Sequence, residues 1–236
     1  MNYILALVQG ISEFLPISSS GHLNLFQFIF GYTPSLSLDI FFHLATLISV
    51  LFFFRAQIKD FFSKLPYIIV ATIPTILVVL LFQTKIDQIF QEVNFLPYFF
   101  LITSLLLFLS KFIQPKNKKL DFKNAFIIGI FQSLAILPGV SRSGATIFAG
   151  LLLGLSALDA FSFSFYLFIP AMLGAVLLDY SAFSFTPNLI FPFIVCMLIG
   201  LFALNILKKS LISKNFWKFS IYTFLLSFLL FFLIKN

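Results

Sequence analysis

Apolar runs of two lengths alternate along this chain. Residues 3–15 and about 22–31 are each too short to cross a bilayer, which takes about 20 apolar residues. Pro16, Ser18, Ser19, Ser20 and Gly21 separate them, and Gly31 and Pro34 close the second. Three longer runs follow, at about 38–54, 66–83 and 95–113, long enough to span with some tilt. A basic loop, Lys111 to Lys123, divides the chain, and the pattern then repeats. Short runs at about 124–137 and 145–155 flank a second polar break, and long runs follow at about 158–179, 188–207 and 217–234. Each short pair reads as a re-entrant helical hairpin, because non-helical backbone at membrane depth survives only where protein or a wet cavity surrounds it. Pro74, Pro170 and Pro192 lie inside long runs, and Pro74 is expected to kink its helix.

The repetition extends to single polar positions. Gln9–His22 reads QGISEFLPISSSGH, and Gln132–Thr146 reads QSLAILPGVSRSGAT. At an offset of 123 residues, Gln9, Ser18, Ser20 and Gly21 fall on Gln132, Ser141, Ser143 and Gly144. The spacing Q-x8-S-x-S-G therefore occurs once in each half. One hairpin plus three spans is an odd number of crossings. The second half (about 124–236) must then sit upside down relative to the first (about 1–113). Inverted-topology repeats of this kind build sites near the bilayer midplane from discontinuous helices. The expected fold is an all-α polytopic membrane protein, a single membrane domain over 1–236, whose two polar breaks meet at one site.

Composition supports a membrane chain. Of its 236 residues 61% are hydrophobic and only 10% charged, against about 25% charged in a soluble domain. The 37 Phe residues read as packing and lipid-facing bulk. A net charge of +7 does not indicate nucleic acid, because 12 of the 15 basic residues sit in three short loops, 55–65, 111–123 and 208–218. The repeat puts these loops on one side, and the positive-inside rule assigns that side to the cytoplasm, with both termini outward. Lys85 and Lys235 fall on the other side, and Arg142 falls within the membrane. The single Cys196 excludes an intramolecular disulfide. The N-terminus lacks the basic start of a signal peptide and reads as part of the mature fold.

Ionisable groups at membrane depth are costly and usually functional; here they are Glu13, His22 and Arg142. Gln9 and Glu13 are four residues apart and share a helical face. Glu13 can ligate a hard cation such as Mg²⁺ or Ca²⁺, act as general base, or be a structural acid paired with Arg142. Gln9 adds an amide oxygen for a metal or a hydroxyl. Ser18, Ser19 and Ser20, like Ser141 and Ser143, precede the second helix of each hairpin and suit N-caps. Two helix N-termini aimed at one point make an anion site, and Arg142 adds a planar fork suited to phosphate oxygens, unless it serves only as a structural salt bridge. His22 is a candidate nucleophile or general acid/base. This set describes phosphoryl hydrolysis or the movement of a phosphate-bearing lipid by a transporter or flippase; physics alone leaves both open.

The segments QGISEFLPISSSGHL and QSLAILPGVSRSGATI resemble the two signature motifs of the bacterial undecaprenyl-diphosphate phosphatase family, known also for bacitracin resistance. Phe161–Asp179, FSFSFYLFIPAMLGAVLLD, and the overall length are similar too, so the resemblance covers essentially the whole chain. It implies hydrolysis of undecaprenyl diphosphate to the monophosphate and inorganic phosphate in the bacterial cytoplasmic (inner) membrane. That reaction recycles the lipid carrier for peptidoglycan and other envelope polymers. It implies that Gln9 and Glu13 form the family's E/Q-x-x-x-E pattern, that Ser19 and His22 are catalytic, and that Ser141, Arg142 and Thr146 bind phosphate, with a divalent cation, Mg²⁺ or Ca²⁺. Ser18 and Ser143 join them as expected substrate contacts. Many members carry Glu where this chain has Gln9, which leaves one carboxylate at the cation. On this reading Ser19 attacks with His22 as base, or His22 attacks directly.

Overall fold

The computed structural model describes residues 2–31, 36–178 and 187–234. Pro34, Asp179 and Lys235 lie outside the described residues. The described chain is helical: α1 (Asn2–Ser12), α2 (Ser19–Phe30), α3 (Leu36–Phe53), α4 (Ile58–Ser63), α5 (Leu65–Gln91), α6 (Leu96–Leu109), α7 (Phe122–Leu134), α8 (Arg142–Leu152), α9 (Ala157–Leu178), α10 (Ile190–Ile212) and α11 (Phe219–Leu233), with no strand among the described residues.

Lengths separate the helices into the two expected classes. α1, α2, α7 and α8 have 11, 12, 13 and 11 residues. At 1.5 Å per residue they reach roughly 17–20 Å, short of a hydrocarbon core about 30 Å thick. α1 packs on α2 and α7 on α8, giving two short hairpins. Among the described residues, five helical stretches are long and apolar enough to cross a membrane: Leu65–Ile86, Val93–Phe112, Ala157–Leu177, Pro187–Ile212 and Phe216–Leu233. Ile40–Phe53 joined to Arg55–Ser63 across a 60° bend makes a sixth if counted as one span. The protein is thus an all-helical, multi-pass membrane protein.

Two expectations need correcting. Loop 55–65 is mostly helical, a 3-10 turn followed by α4. The kink in α5 falls at Phe82 (φ −126°, ψ 15°) and not at Pro74, which α5 carries inside its helix. A proline removes one N–H and crowds one carbonyl, and the buried Pro74 is accommodated inside the bundle.

The large helices enclose the hairpins. α10 packs on α1 and α5 packs on α7; α3 lies against α9, and α6 against α11. Phe14, fully buried at the end of the first hairpin helix, seats its ring against Phe165 and Phe168 of α9, with centroids 5.7 and 5.9 Å apart. Leu80 and Leu81, above 70% exposed, show the opposite face of the pattern, apolar side chains turned to lipid. Since lipid tails are as apolar as leucine, helix association here rests on close packing and hydrogen bonds.

Glycine supplies that closeness where helices cross. A Cβ at Gly129 of α7 would collide with the carbonyl of Ala71 on α5, and one at Gly10 of α1 would lie 2.7 Å from the carbonyl oxygen of Cys196 on α10. Gly129→Ala is therefore expected to cost about 1–3 kcal/mol, read as a lower thermal midpoint of the detergent-solubilised protein. Gly174→Ala, whose added methyl meets nothing within 4 Å, is expected to leave that midpoint equal or higher, since alanine is the better helix former. Equal effects at both positions would sink the close-packing account.

Candidate active site

Glu13 stands at the centre of the two breaks. It lies just past the end of α1, but its N–H still donates to Gln9 O (3.0 Å), so the helical turn continues and the expected shared face of Gln9 and Glu13 is present. Gln9 Nε2 donates to Glu13 Oε2 at 2.9 Å, and Ser19 Oγ donates to the same oxygen at 2.6 Å. Arg142 Nη2, from the other hairpin, donates to Glu13 Oε1 at 2.8 Å. Glu13 is 7% exposed and Gln9 fully buried. A carboxylate taken out of water needs charge-assisted hydrogen bonds on both oxygens, and the sequence supplies them from both halves. Arg142 also stacks on Phe168, its guanidinium carbon 4.1 Å from the ring centroid, a contact strengthened by desolvation. Its Nη1 is buried without a hydrogen-bond partner, as is Gln9 Oε1.

The hairpin tips hold each other through serine caps. Ser141 caps α8, its Oγ accepting from Gly144 N at 3.1 Å. Ser18 does the same for α2 through Gly21 N at 3.3 Å. Ser18 Oγ also accepts from Gly139 N of the second break, at 3.1 Å. Ser18 has φ +70°, the left-handed region, while Gly139 takes φ +107°. For a residue with a Cβ that conformation costs of order 1–3 kcal/mol and persists only where surroundings over-determine it. A Cβ at Gly21 would lie 2.8 Å from Gly139 Cα, so glycine is required where the tips touch.

A cavity of about 330 Å³ opens at this junction. Glu13, Ser18, Ser19, Ser20, Gln132, Ser141 and Arg142 line it from the hairpins, and Thr75 and Met172 line it from the surrounding helices. Residues from both motifs thus meet at one place.

Four expected site residues sit elsewhere. Gln9 is fully buried, its Nε2 on Glu13. Ser143 is inside the first turn of α8 and donates to Phe14 O at 3.2 Å. Thr146 Oγ1 lies 2.7 Å from Ser164 Oγ and donates to Arg142 O at 2.8 Å. His22 bonds Ser18 O and Tyr222 Oη through its two ring nitrogens. None of the four is among the residues lining the cavity. The expected Ser19–His22 pairing gives way to Ser19–Glu13, because the turn after Pro16 points Ser19 at the carboxylate.

Sequence reasoning missed His43, whose Nε2 lies 3.8 Å from Glu13 Oε2 and which lines the cavity from α3. It also missed Thr75, which accepts from Gln132 Nε2 at 3.0 Å. The signal was present: an imidazole inside an apolar span is a functional candidate by its cost alone.

Comparison with known proteins identifies the family. The family model described as "Bacitracin resistance protein BacA" matches residues 2–229. A Thermosipho africanus protein named "Undecaprenyl-diphosphatase" is 39% identical, the alignment covering 98% of this chain and 99% of the relative. A protein of the same name from Carboxydothermus hydrogenoformans is 42% identical over 94% of this chain and 92% of its own. One from Methanococcus vannielii is 38% identical over 99% of each. Matched nearly end to end by the family model and by these relatives, the chain belongs to the BacA family of bacitracin resistance proteins.

Proposed function

We propose that this protein is an undecaprenyl-diphosphate phosphatase, hydrolysing undecaprenyl diphosphate to undecaprenyl phosphate and inorganic phosphate in the cytoplasmic membrane. The observation that carries this reading is the Ser19–Glu13–Arg142 chain at the cavity, with contacts of 2.6 and 2.8 Å. A serine hydroxyl donating to a carboxylate, beside a guanidinium with one free N–H edge, is an arrangement suited to phosphoryl transfer. Ser19 Oγ attacks the terminal phosphorus, its proton passes to Glu13, and the bond to the bridging oxygen breaks to release the lipid monophosphate. Water then attacks the phosphoserine phosphorus; as the P–Oγ bond breaks, Glu13 returns its proton to Ser19 Oγ, and the proton of the attacking water leaves with inorganic phosphate. Arg142 Nη1 and Ser141 hold phosphate oxygens; Ser143 and Thr146 keep α8 and Arg142 in place. The prenyl tail lies among the apolar helices.

Gln9 and Glu13 fit a divalent cation, Mg²⁺ or Ca²⁺. Gln9 Oε1 is a buried oxygen without a donor, on the amide whose Nε2 meets the one carboxylate, and Mg²⁺ often takes one or two carboxylates plus substrate phosphate oxygens. When bound, such an ion neutralises charge on the diphosphate.

The fold reading behind this site is a single membrane domain made of an inverted repeat, each half one re-entrant hairpin and three spans. Its support is the reciprocal packing, α1 on α10 and α7 on α5, with α3 on α9 and α6 on α11. The basic loops face the cytoplasm and the termini face outward.

Phosphate release by the purified protein in detergent tests the hydrolysis. Ser19→Ala is expected to reduce it by at least ~10³-fold. Lipid bound without any release from the wild type would make the protein a carrier. Arg142→Lys keeps the charge and loses the fork, with an expected loss of roughly 10²-fold in a folded protein; an Arg142→Lys enzyme with normal turnover would remove the phosphate clamp. Chelation is expected to abolish release. Gln9→Glu, by adding a carboxylate, is expected to lower the Mg²⁺ concentration giving half activity, and an unshifted Mg²⁺ titration would remove Gln9 from the cation shell.

A further inference from the structure

His22 is built into the turn that carries Ser19. Its Nδ1 is 2.7 Å from Ser18 O, and a carbonyl only accepts, so Nδ1 carries the proton. Its Nε2 is 2.7 Å from Tyr222 Oη on α11. The two rings are nearly parallel, 9° apart with centroids at 5.7 Å, and the edge of Phe100 closes on the imidazole at 5.4 Å. Neither ring nitrogen is left to take a proton from Ser19.

Ser18 is the residue these contacts hold. Its carbonyl accepts both the Nδ1–H and the backbone N–H of His22, the latter at 3.3 Å. Its Oγ accepts from Gly139 and Gly21, and its φ is +70°. The next residue is Ser19, whose Oγ reaches Glu13 at 2.6 Å. Any rotation of the Ser18–Ser19 peptide moves that oxygen.

We infer that His22 and Tyr222 are a positioning pair for this site: Tyr222 O–H on Nε2 fixes the ring and its tautomer, and Nδ1–H on the Ser18 carbonyl holds the peptide that aims Ser19 at Glu13. The inference rests on the phosphatase reading for its consequence in turnover, but its geometry can be tested apart from activity.

Asparagine distinguishes a positioning donor from a base. In His22→Asn the Nδ2 donor takes the place of Nδ1, and no titrating nitrogen remains. His22→Asn is expected to keep turnover within ~10-fold of wild type, the scale of one weakened hydrogen bond, whereas His22→Ala loses at least ~10²-fold in kcat with KM little changed. Tyr222→Phe is expected to lower kcat by up to ~10-fold in the wild type and to have no further effect in the His22→Asn background, where Nε2 is gone. Hydrogen–deuterium exchange of the peptide spanning 18–23 supplies the readout independent of catalysis: faster in His22→Ala, near wild type in His22→Asn. His22→Asn as inactive as His22→Ala, both folded and with equal exchange, would overturn the inference and restore His22 as a proton carrier. A wild type that releases no phosphate but shows the expected exchange pattern would count against the hydrolysis and leave the positioning pair standing.

Discussion

An acid placed between apolar helices is tolerable only with a cation against it, and Glu13 finds that cation on the other half of the chain. The Glu13–Arg142 contact at 2.8 Å is therefore the constraint on which the rest of the structure depends. Breaking such a pair by removing one partner costs about 3–5 kcal/mol, because the other charge stays buried. The two come together where the breaks of the two short hairpins touch. Ser18, with its left-handed backbone, and Gly21, with no side chain, are the local concessions at that meeting point.

The same contact prepares the site. Arg142 keeps one nitrogen on Glu13 and one free, and Phe168 supports the flat guanidinium from behind. The carboxylate holds the Ser19 hydroxyl in one direction. On the proposed reading, little has to move for an incoming phosphate to meet a charge and an oriented oxygen, which is the pre-organisation that electrostatic catalysis requires. Residues away from the cavity support this arrangement: Thr146 ties Arg142's own carbonyl to Ser164, and Ser143 ties α8 to Phe14.

Much of this was legible in the sequence because its signals are local. The lengths of the apolar runs separate short from long helices, and proline, serine and glycine mark both breaks. The repeat of Gln9, Ser18, Ser20 and Gly21 at Gln132, Ser141, Ser143 and Gly144 joined two distant segments, and Arg142, the one basic residue outside loops and ends, pointed to the pairing. The remainder depends on direction, which spacing does not specify. Ser19 and His22 are three residues apart on one turn, yet one faces Glu13 and the other faces Tyr222. His43 was missed because its partner is tertiary. α5 leaves helical geometry at Phe82, eight residues past the proline, where no proline or glycine marks it.

The 129 residues separating Glu13 from Arg142 have a consequence for biogenesis. A ribosome delivers the first hairpin long before the second. Until α8 has been made, the N-terminal half carries Glu13 without its guanidinium partner and a hairpin tip lacking the N–H of Gly139. Even then the turn that carries Ser19 waits for α11, the last helix made, to bring Tyr222 to His22.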